Sequence, residues 1–531
     1  MSVLARVLNT GFRQQIGAPG PSHWGALMDS IVNISSGAVR GRVDGKVHAF
    51  RGIPYAASVG GANRFRPAQP VEPWDGVRDA TEGGLIQPQP MMPPPFGGPL
   101  PPAGDDSLNL NVWTPDPTAS GLPVLVWIHG GAFVSGSGIE PTYDGTSFAR
   151  NGVVCVTINY RLGAQGFMHL ADHFPEFADS GTLGSQDQVV ALHWVQDNIA
   201  AFGGDPNRVT VAGESAGGMS VGALLAMPSA KGLFQQAVPQ SGAGHNGISA
   251  ATASRIAGYM LEAVGVAAGD TAALLAVTSD QWLEAQVALT TELQTTRNAE
   301  KFGEVAGAAM PFQPTYGTAV LPQRPIDAIA AGSAADVAIL VGTTMEESLV
   351  FVVAMAEMFN DVMVKMTMDA VFAGQGETAL AQYRSARPDA APHEIVAAVE
   401  TDRMFRVPAV RLADAQAAHN PNVWMYRFDW RTPTLGGIFG ACHALELAYV
   451  FHTLDSDLAA AFNGPDAPRS LADAMHGAWV HFATHGDPGH SGLPEWPRYT
   501  AADRPTMSFD VQPGLLRQPN EAELALWDGV L

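Results

Sequence analysis

The residues best suited to chemistry lie in Gly213-Glu214-Ser215-Ala216-Gly217, a Gly-x-Ser-x-Gly pattern. Before it, Val209 to Ala212 form a short apolar run rich in β-branched residues, as in a buried strand. After it, Met219 to Met227 suit a helix that Pro228 stops. A strand that passes through so tight a turn into a helix forces Ser215 into strained backbone and points its hydroxyl outward. Glycines on either side are required because a Cβ atom would not fit. The helix start directs free N–H groups and the positive end of its dipole at negative charge forming near Ser215. Ser215 therefore reads as a nucleophile. The same five residues turn up by chance in a chain with 57 glycines, so the flanking strand and helix carry the weight.

A serine nucleophile needs donors for the oxyanion it creates, a base and an acid. Directly after the apolar run Pro123 to Ile128 comes His129-Gly130-Gly131-Ala132-Phe133, where glycines let backbone N–H groups approach a reacting oxygen. A glycine turn leaving a strand is common, but two such turns, each matching its role, make coincidence a poor account. With fifteen histidines in the chain, local context must select the base. It selects His443, in a Gly-preceded loop running into an apolar helix start (Gly440 to Leu447). Most other histidines, such as His485 and His490 beside Gly-Asp-Pro turns, suit surface or capping positions. For the acid, Glu346 and Glu347 both follow the strand-like Ile339 to Val341, at the strand end where open α/β sheets build their sites. The residues alone leave the choice between them open.

The elements that must position these groups alternate. Ile31 to Ile34, Ala38 to Val43 and Val47 to Phe50 are short alternating runs, with Asp44-Gly45 as a hairpin signal and Phe50 to Ala56 closing an antiparallel edge. Leu108 to Trp113 alternates like a strand, and Pro123–Ile128 and Val153–Ile158 are continuous apolar runs, as in strands buried on both faces. Gln186 to Phe202 has helical spacing and ends at Gly203-Gly204. An Ala237-Val238 run, an Ala-rich helical region over 251–293, and strands at Ala338–Val341 and Val423–Phe428 follow. This order predicts an α/β fold: a large, mostly parallel sheet with helices on both faces and an antiparallel N-terminal edge. Between residues 82 and 104 the chain is crowded with proline and no packed element is expected; the stretch is either a surface loop or a lid.

Composition narrows the class. A chain of 531 residues with 46% hydrophobic and 15% charged residues can bury a large core. A net charge of −22 argues against nucleic acid or an anionic membrane as partner. The first 27 residues carry Arg6 and Arg13 without an apolar core, unlike a signal peptide, and no stretch approaches the ~20 apolar residues of a membrane span. Residues 1–30 are expected to be an extension, disordered or an artefact of the start site, ahead of one domain over 31–531. A cytoplasmic protein is expected. Of the two cysteines, Cys155 reads as a buried small hydrophobe; Cys442 adjoins His443, where packing competes with reactivity. No disulfide framework is implied.

From about residue 31 to 510 the chain resembles the type B carboxylesterase and cholinesterase family. The resemblance is carried by Phe50 to Ala56, Asp106 to Trp113, His129 to Phe133, Asn159 to Gly163, Gln186 to Pro206, the Ser215 elbow, Gln240 to Gly242, Gly342 to Glu347 and His443 to Phe451. His-Gly-Gly-Ala-Phe and His-Ala-Leu-Glu-Leu bring it nearest to the bacterial para-nitrobenzyl esterases. The resemblance implies an α/β-hydrolase fold and a serine carboxylesterase acting through an acyl-enzyme. Its triad would be Ser215, His443 and Glu347, with the N–H groups of Gly131, Ala132 and Ala216 as the oxyanion hole. Glu347 matches the glutamate of the family's Asp-Glu-Gly, with Glu346 in place of the aspartate and Ser348 of the glycine. Ser241 and Glu446 would be buried polar support behind the histidine, and Arg64 and Asp105 a structural ion pair. An amidase, carbamate hydrolase or lipase could run on the same triad, and related folds serve as non-catalytic adhesion modules, which usually lack the serine.

Two departures also bear on function. Ser107 stands where secreted members have a cysteine, and the 82–104 loop lacks the tryptophan that choline-binding relatives use, so cholinesterase activity is not expected. Met91, Met92, Met355, Met358, Met363 and Met366 suit either an adaptable apolar gorge or plain core. No metal or organic cofactor is called for. The expected partner is a small-molecule ester, met by a monomer or small homo-oligomer.

Overall fold

The computed structural model describes residues 28–91 and 100–531. The expected extension up to residue 27, and Met92 with the tip of the proline-rich loop, lie outside the described residues. The chain divides into two compact units. One runs to Pro239 and resumes over Ala243–Ala338; the other holds Gln240–Gly242 and Ile339–Leu531.

In the first unit, β1 (Met28–Ile34), β2 (Gly37–Asp44) and β3 (Val47–Pro54) form the expected antiparallel edge, with Asp44 opposite Val47 across the Gly45 turn. Short β4 (Val77–Asp79) runs parallel beside β2. The sheet continues through β5 (Asn109–Thr114), β6 (Leu122–Ile128), β7 (Val154–Ile158), β8 (Gly204–Glu214) and β9 (Gln236–Gln240), in the order β1-β2-β3-β5-β7-β6-β8-β9. Strand β6 lies between β7 and β8 and pairs parallel with both. Val124 to Ile128 and all of β7 are buried, which is why these strands read as unbroken apolar runs. The helix Leu183–Asn198 tightens into a 3₁₀ turn over Ile199–Phe202 and stops at Gly203, where φ is +84°. A two-residue parallel pair, β10 (Ile248–Ser249) with β11 (Thr315–Tyr316), lies apart.

The base of the proline-rich loop is more ordered than its composition suggests. Ile86 pairs with Ala103, Ser107 donates its hydroxyl to Gln87 Oε1 at 2.8 Å, and Gln87 donates to Gln165 at 3.0 Å. Gln89 grips Gly136 from both sides, accepting its N–H at 2.6 Å and donating to its carbonyl at 3.0 Å. Arg64 is buried, but it donates to the Val277 carbonyl, and among the described residues no ion pair joins it to Asp105. A fully buried ion pair of this unit joins Arg161 to Asp187 at 2.6 Å, which the sequence did not single out.

In the second unit, β12 (Ala338–Thr344), β13 (Val423–Phe428) and β14 (Thr506–Phe509) run parallel, and β15 (Gly514–Leu516) returns antiparallel. The last two were not foreseen; they are four and three residues long. Helix Arg469–His485 lays Trp479 against Tyr426 and Phe509, ring centroids 5.0 and 6.1 Å away. Met355, Met358, Met363 and Met366 are 37–65% exposed, so they do not belong to the core. Among the described residues no helix is long and apolar enough to cross a membrane.

Candidate active site

Strand β8 ends at Glu214 and a helix begins at Ala216, so Ser215 alone makes the turn, at φ 56° and ψ −123°. A non-glycine residue holds such a conformation only when its surroundings dictate it. Here they do. A Cβ on Gly217 would lie 2.0 Å from the Ile128 carbonyl oxygen, so glycine is what lets the helix start press against the end of β6. The loop leaving β6 lies beside the serine, since a Cβ on Gly130 would stand 3.1 Å from Ser215 Cβ.

That loop turns sharply. Gly131 has φ +105° and its carbonyl accepts the N–H groups of Val134 and Ser135 at 2.9 and 3.0 Å. A Cβ on Gly131 would sit 2.1 Å from the Ser135 carbonyl oxygen. The N–H groups of Gly131, Ala132 and Ala216 find no acceptor among the described residues. Behind the loop, His129 is buried and stacked on Tyr160 at 4.5 Å, and Tyr160 donates its hydroxyl to the His129 carbonyl at 3.0 Å. Burial pulls the His129 pKa down to about 4, so the ring is neutral at pH 7 and donates its Nδ1–H to the Gly130 carbonyl at 2.8 Å. Burial likewise pushes the Glu140 carboxyl up to about 7, partly offset by the Ser137 N–H it accepts at 3.1 Å.

The second unit carries Glu347 and His443. Glu347 and His443 are buried, and His443 Nδ1 lies 2.6 Å from Glu347 Oε2. The other carboxylate oxygen accepts the Ser241 hydroxyl at 2.6 Å and the Thr344 N–H at 2.7 Å. A buried carboxylate with three donors is fixed in direction, and it obliges Nδ1 to carry the proton. The two glutamates differ in their partners. Glu346 turns the other way, to Arg431 at 2.6 Å and to the Ala441 N–H at 3.0 Å, bracing the loop that presents His443. The imidazole is flanked by Phe405 and Phe351, at ring distances of 4.9 and 5.3 Å. Glu446 is fully buried and accepts from Gln240 at 3.3 Å, while Gln240 in turn accepts from Trp479 at 2.8 Å. Cys442 is buried, and desolvation followed by the Glu347 charge raises its thiol pKa well above the usual value, so it is a packing residue.

The sequence did not point to Arg406, whose guanidinium donates to the Met345 carbonyl at 2.7 Å. An arginine just ahead of a proline in a helix carries no signal of such a contact.

Comparison with known proteins fits this geometry. The model of the carboxylesterase family matches residues 28–527. The chain is 40% identical to a para-nitrobenzyl esterase of Bacillus subtilis over 498 residues, covering 92% of this chain and 96% of that one. It is 35% identical over 490 residues to a phenmedipham hydrolase of Pseudarthrobacter oxydans, covering 89% and 93%. The carboxylesterase of Geobacillus stearothermophilus superposes with a TM-score of 0.83 at 38% identity, over 94% of this chain and 99% of that one. With the strands, the elbow and the buried His443–Glu347 contact described, the chain belongs to the carboxylesterase family, as a carboxylic ester hydrolase of the α/β-hydrolase fold.

Proposed function

We propose that Ser215, His443 and Glu347 form one catalytic triad, and that the two units work together as a single α/β-hydrolase domain. Ser215 Oγ attacks the carbonyl carbon of a small carboxylic ester while His443 Nε2 takes its proton. Glu347 keeps Nδ1 protonated and stabilises the imidazolium that results. The tetrahedral oxyanion is received by the N–H groups of Gly131, Ala132 and Ala216. As the intermediate collapses, His443 gives the proton to the leaving alkoxide, so an alcohol departs and an acyl-enzyme remains. Water, deprotonated by His443, then attacks the acyl carbon and releases the acid and the serine. None of these steps calls for a cofactor.

The observation that carries the proposal is the buried 2.6 Å contact between Glu347 and His443, which makes Nε2 the basic nitrogen. The strained Ser215 and its neighbouring N–H groups without acceptors support it from the other unit. Two buried, unbridged cysteines support a cytoplasmic setting.

The test is labelling with a fluorophosphonate probe, followed by mapping of the modified peptide. Label on Ser215, abolished in Ser215→Ala along with turnover of short nitrophenyl esters, is the expected result. A Ser215→Ala protein that hydrolyses those esters at near wild-type rate ends the proposal. Matched ester, amide and long-chain glyceride substrates then separate an esterase from an amidase or a lipase.

A further inference from the structure

Residues 401–406 touch the peptide that carries Glu347 at two points and His443 at one. Thr401 Oγ1 accepts the Ser348 N–H at 3.0 Å, and Arg406 Nη2 donates to the Met345 carbonyl at 2.7 Å. The segment therefore holds the peptide that carries Glu347 on both sides. Between those two contacts, Phe405 lays its ring 4.9 Å from that of His443.

One helical face can do this because the helix is widened here. Asp402–Arg406 is a π-turn, closed by the Val407 N–H bonding back to the Asp402 carbonyl. Pro408 accounts for it: proline has no N–H to give, and its ring would crowd the carbonyl four residues earlier, at Met404. Single π-turns inside helices are uncommon and concentrate at functional sites.

Arg406 is itself held from behind. Asp402 Oδ1 accepts from its Nη1 at 2.7 Å, and Asp402 Oδ2 accepts the Tyr383 hydroxyl at 2.5 Å. Trp527 Nε1 donates to that hydroxyl at 3.0 Å, and the buried Glu523 pairs with Arg387. A chain of buried polar contacts thus runs from the C-terminal segment to the loop of the catalytic acid. Stability alone gives no reason to route it there, since a buried ion pair is weak evidence of stabilisation.

We propose that Arg406, set by the π-turn and by Asp402, is a positioning residue that fixes the Glu347–His443 pair in register for proton transfer; this rests on the triad assignment above. Removing the arginine alone would strand the Asp402 charge, so the test uses the neutral double variant Asp402→Asn/Arg406→Gln beside Arg406→Lys. Rates are taken per active site titrated with the fluorophosphonate probe, which discounts unfolded protein.

The double variant should lose roughly 10–100-fold in kcat with KM changed less than about twofold, the scale of losing a partner that orients a functional histidine. The acid limb of its kcat/KM profile should move about half a pH unit or more downward, because a loosened carboxylate stabilises the imidazolium less. Arg406→Lys, which keeps a charged donor, should recover part of the rate. A double variant with wild-type kcat per titrated site, or with reduced rate but an unmoved acid limb and no recovery by lysine, overturns the proposal. If instead Ser215→Ala stays active, the triad itself has failed, so the two failures are told apart.

Discussion

In the unit that carries Ser215, the groups proposed to meet the substrate are held by backbone sterics; in the unit that carries Glu347 and His443, they are held by side-chain hydrogen bonds. Gly131 and Gly217 sit where any Cβ would collide with a carbonyl oxygen, 2.1 and 2.0 Å away. Glu347, by contrast, takes its direction from Ser241, Thr344 and His443, three partners drawn from different stretches of chain. The contrast suits the chemistry. Oxyanion donors act best when they cannot move, whereas a base must change its charge and needs partners that follow it.

Four measurements break or sharpen this contrast, from the largest effect downward. Ser215→Ala and His443→Ala should each cost about 10⁶-fold in kcat on a nitrophenyl ester, and the double variant no more than either. Losses that multiply would show that the two regions do not act as one catalyst. Glu347→Gln should cost on the order of 10⁴-fold by holding the imidazole in the wrong tautomer, while Glu346→Gln, one residue away, should cost less than about tenfold. Equal losses would mean that the partners do not assign the roles. Gly131→Ala should lower kcat by about 10²–10³-fold with little change in KM, because the turn must yield before the Cβ fits. A variant with unchanged kcat would remove the steric half of the contrast.

The last measurement concerns stability. The Glu140 carboxyl, pushed up to about 7 in the folded chain, is protonated there at pH values where the unfolded chain has already released the proton. Its contribution is therefore fully present below the ordinary carboxyl range near 4.5 and is lost as pH rises through 7. Glu140→Gln should be the more stable protein in urea melts at pH 8, by at most ~3 kcal/mol, since the side chain keeps some accessible surface. The gap should close toward pH 5. A gap independent of pH would mean that the carboxyl is not buried as described.

The same contrast governs what the sequence disclosed. Steric constraints leave glycines at fixed spacing, so the elbow and the His129 loop were readable, as were the buried strands β6 and β7. Side-chain constraints join distant residues and leave no spacing to read. The residues alone could not choose between Glu346 and Glu347, because the choice lies with Ser241, His443, Arg431 and Ala441. Arg406 was invisible for the same reason. Helix Arg469–His485 is a different case: Leu471, Met475, Trp479 and Phe482 recur at helical spacing and are buried, so the signal was there. Strands β14 and β15 are too short to show a period.

Ser107 and Gln87 close the base of the proline-rich loop by a hydrogen bond, in a chain whose two thiols are both buried and unpaired. Neither half of the proposed catalytic machinery thus depends on sulfur. Reductants should leave turnover unchanged, and maleimides should find nothing to alkylate until the protein unfolds, which makes thiol labelling a direct clock for opening of the native chain.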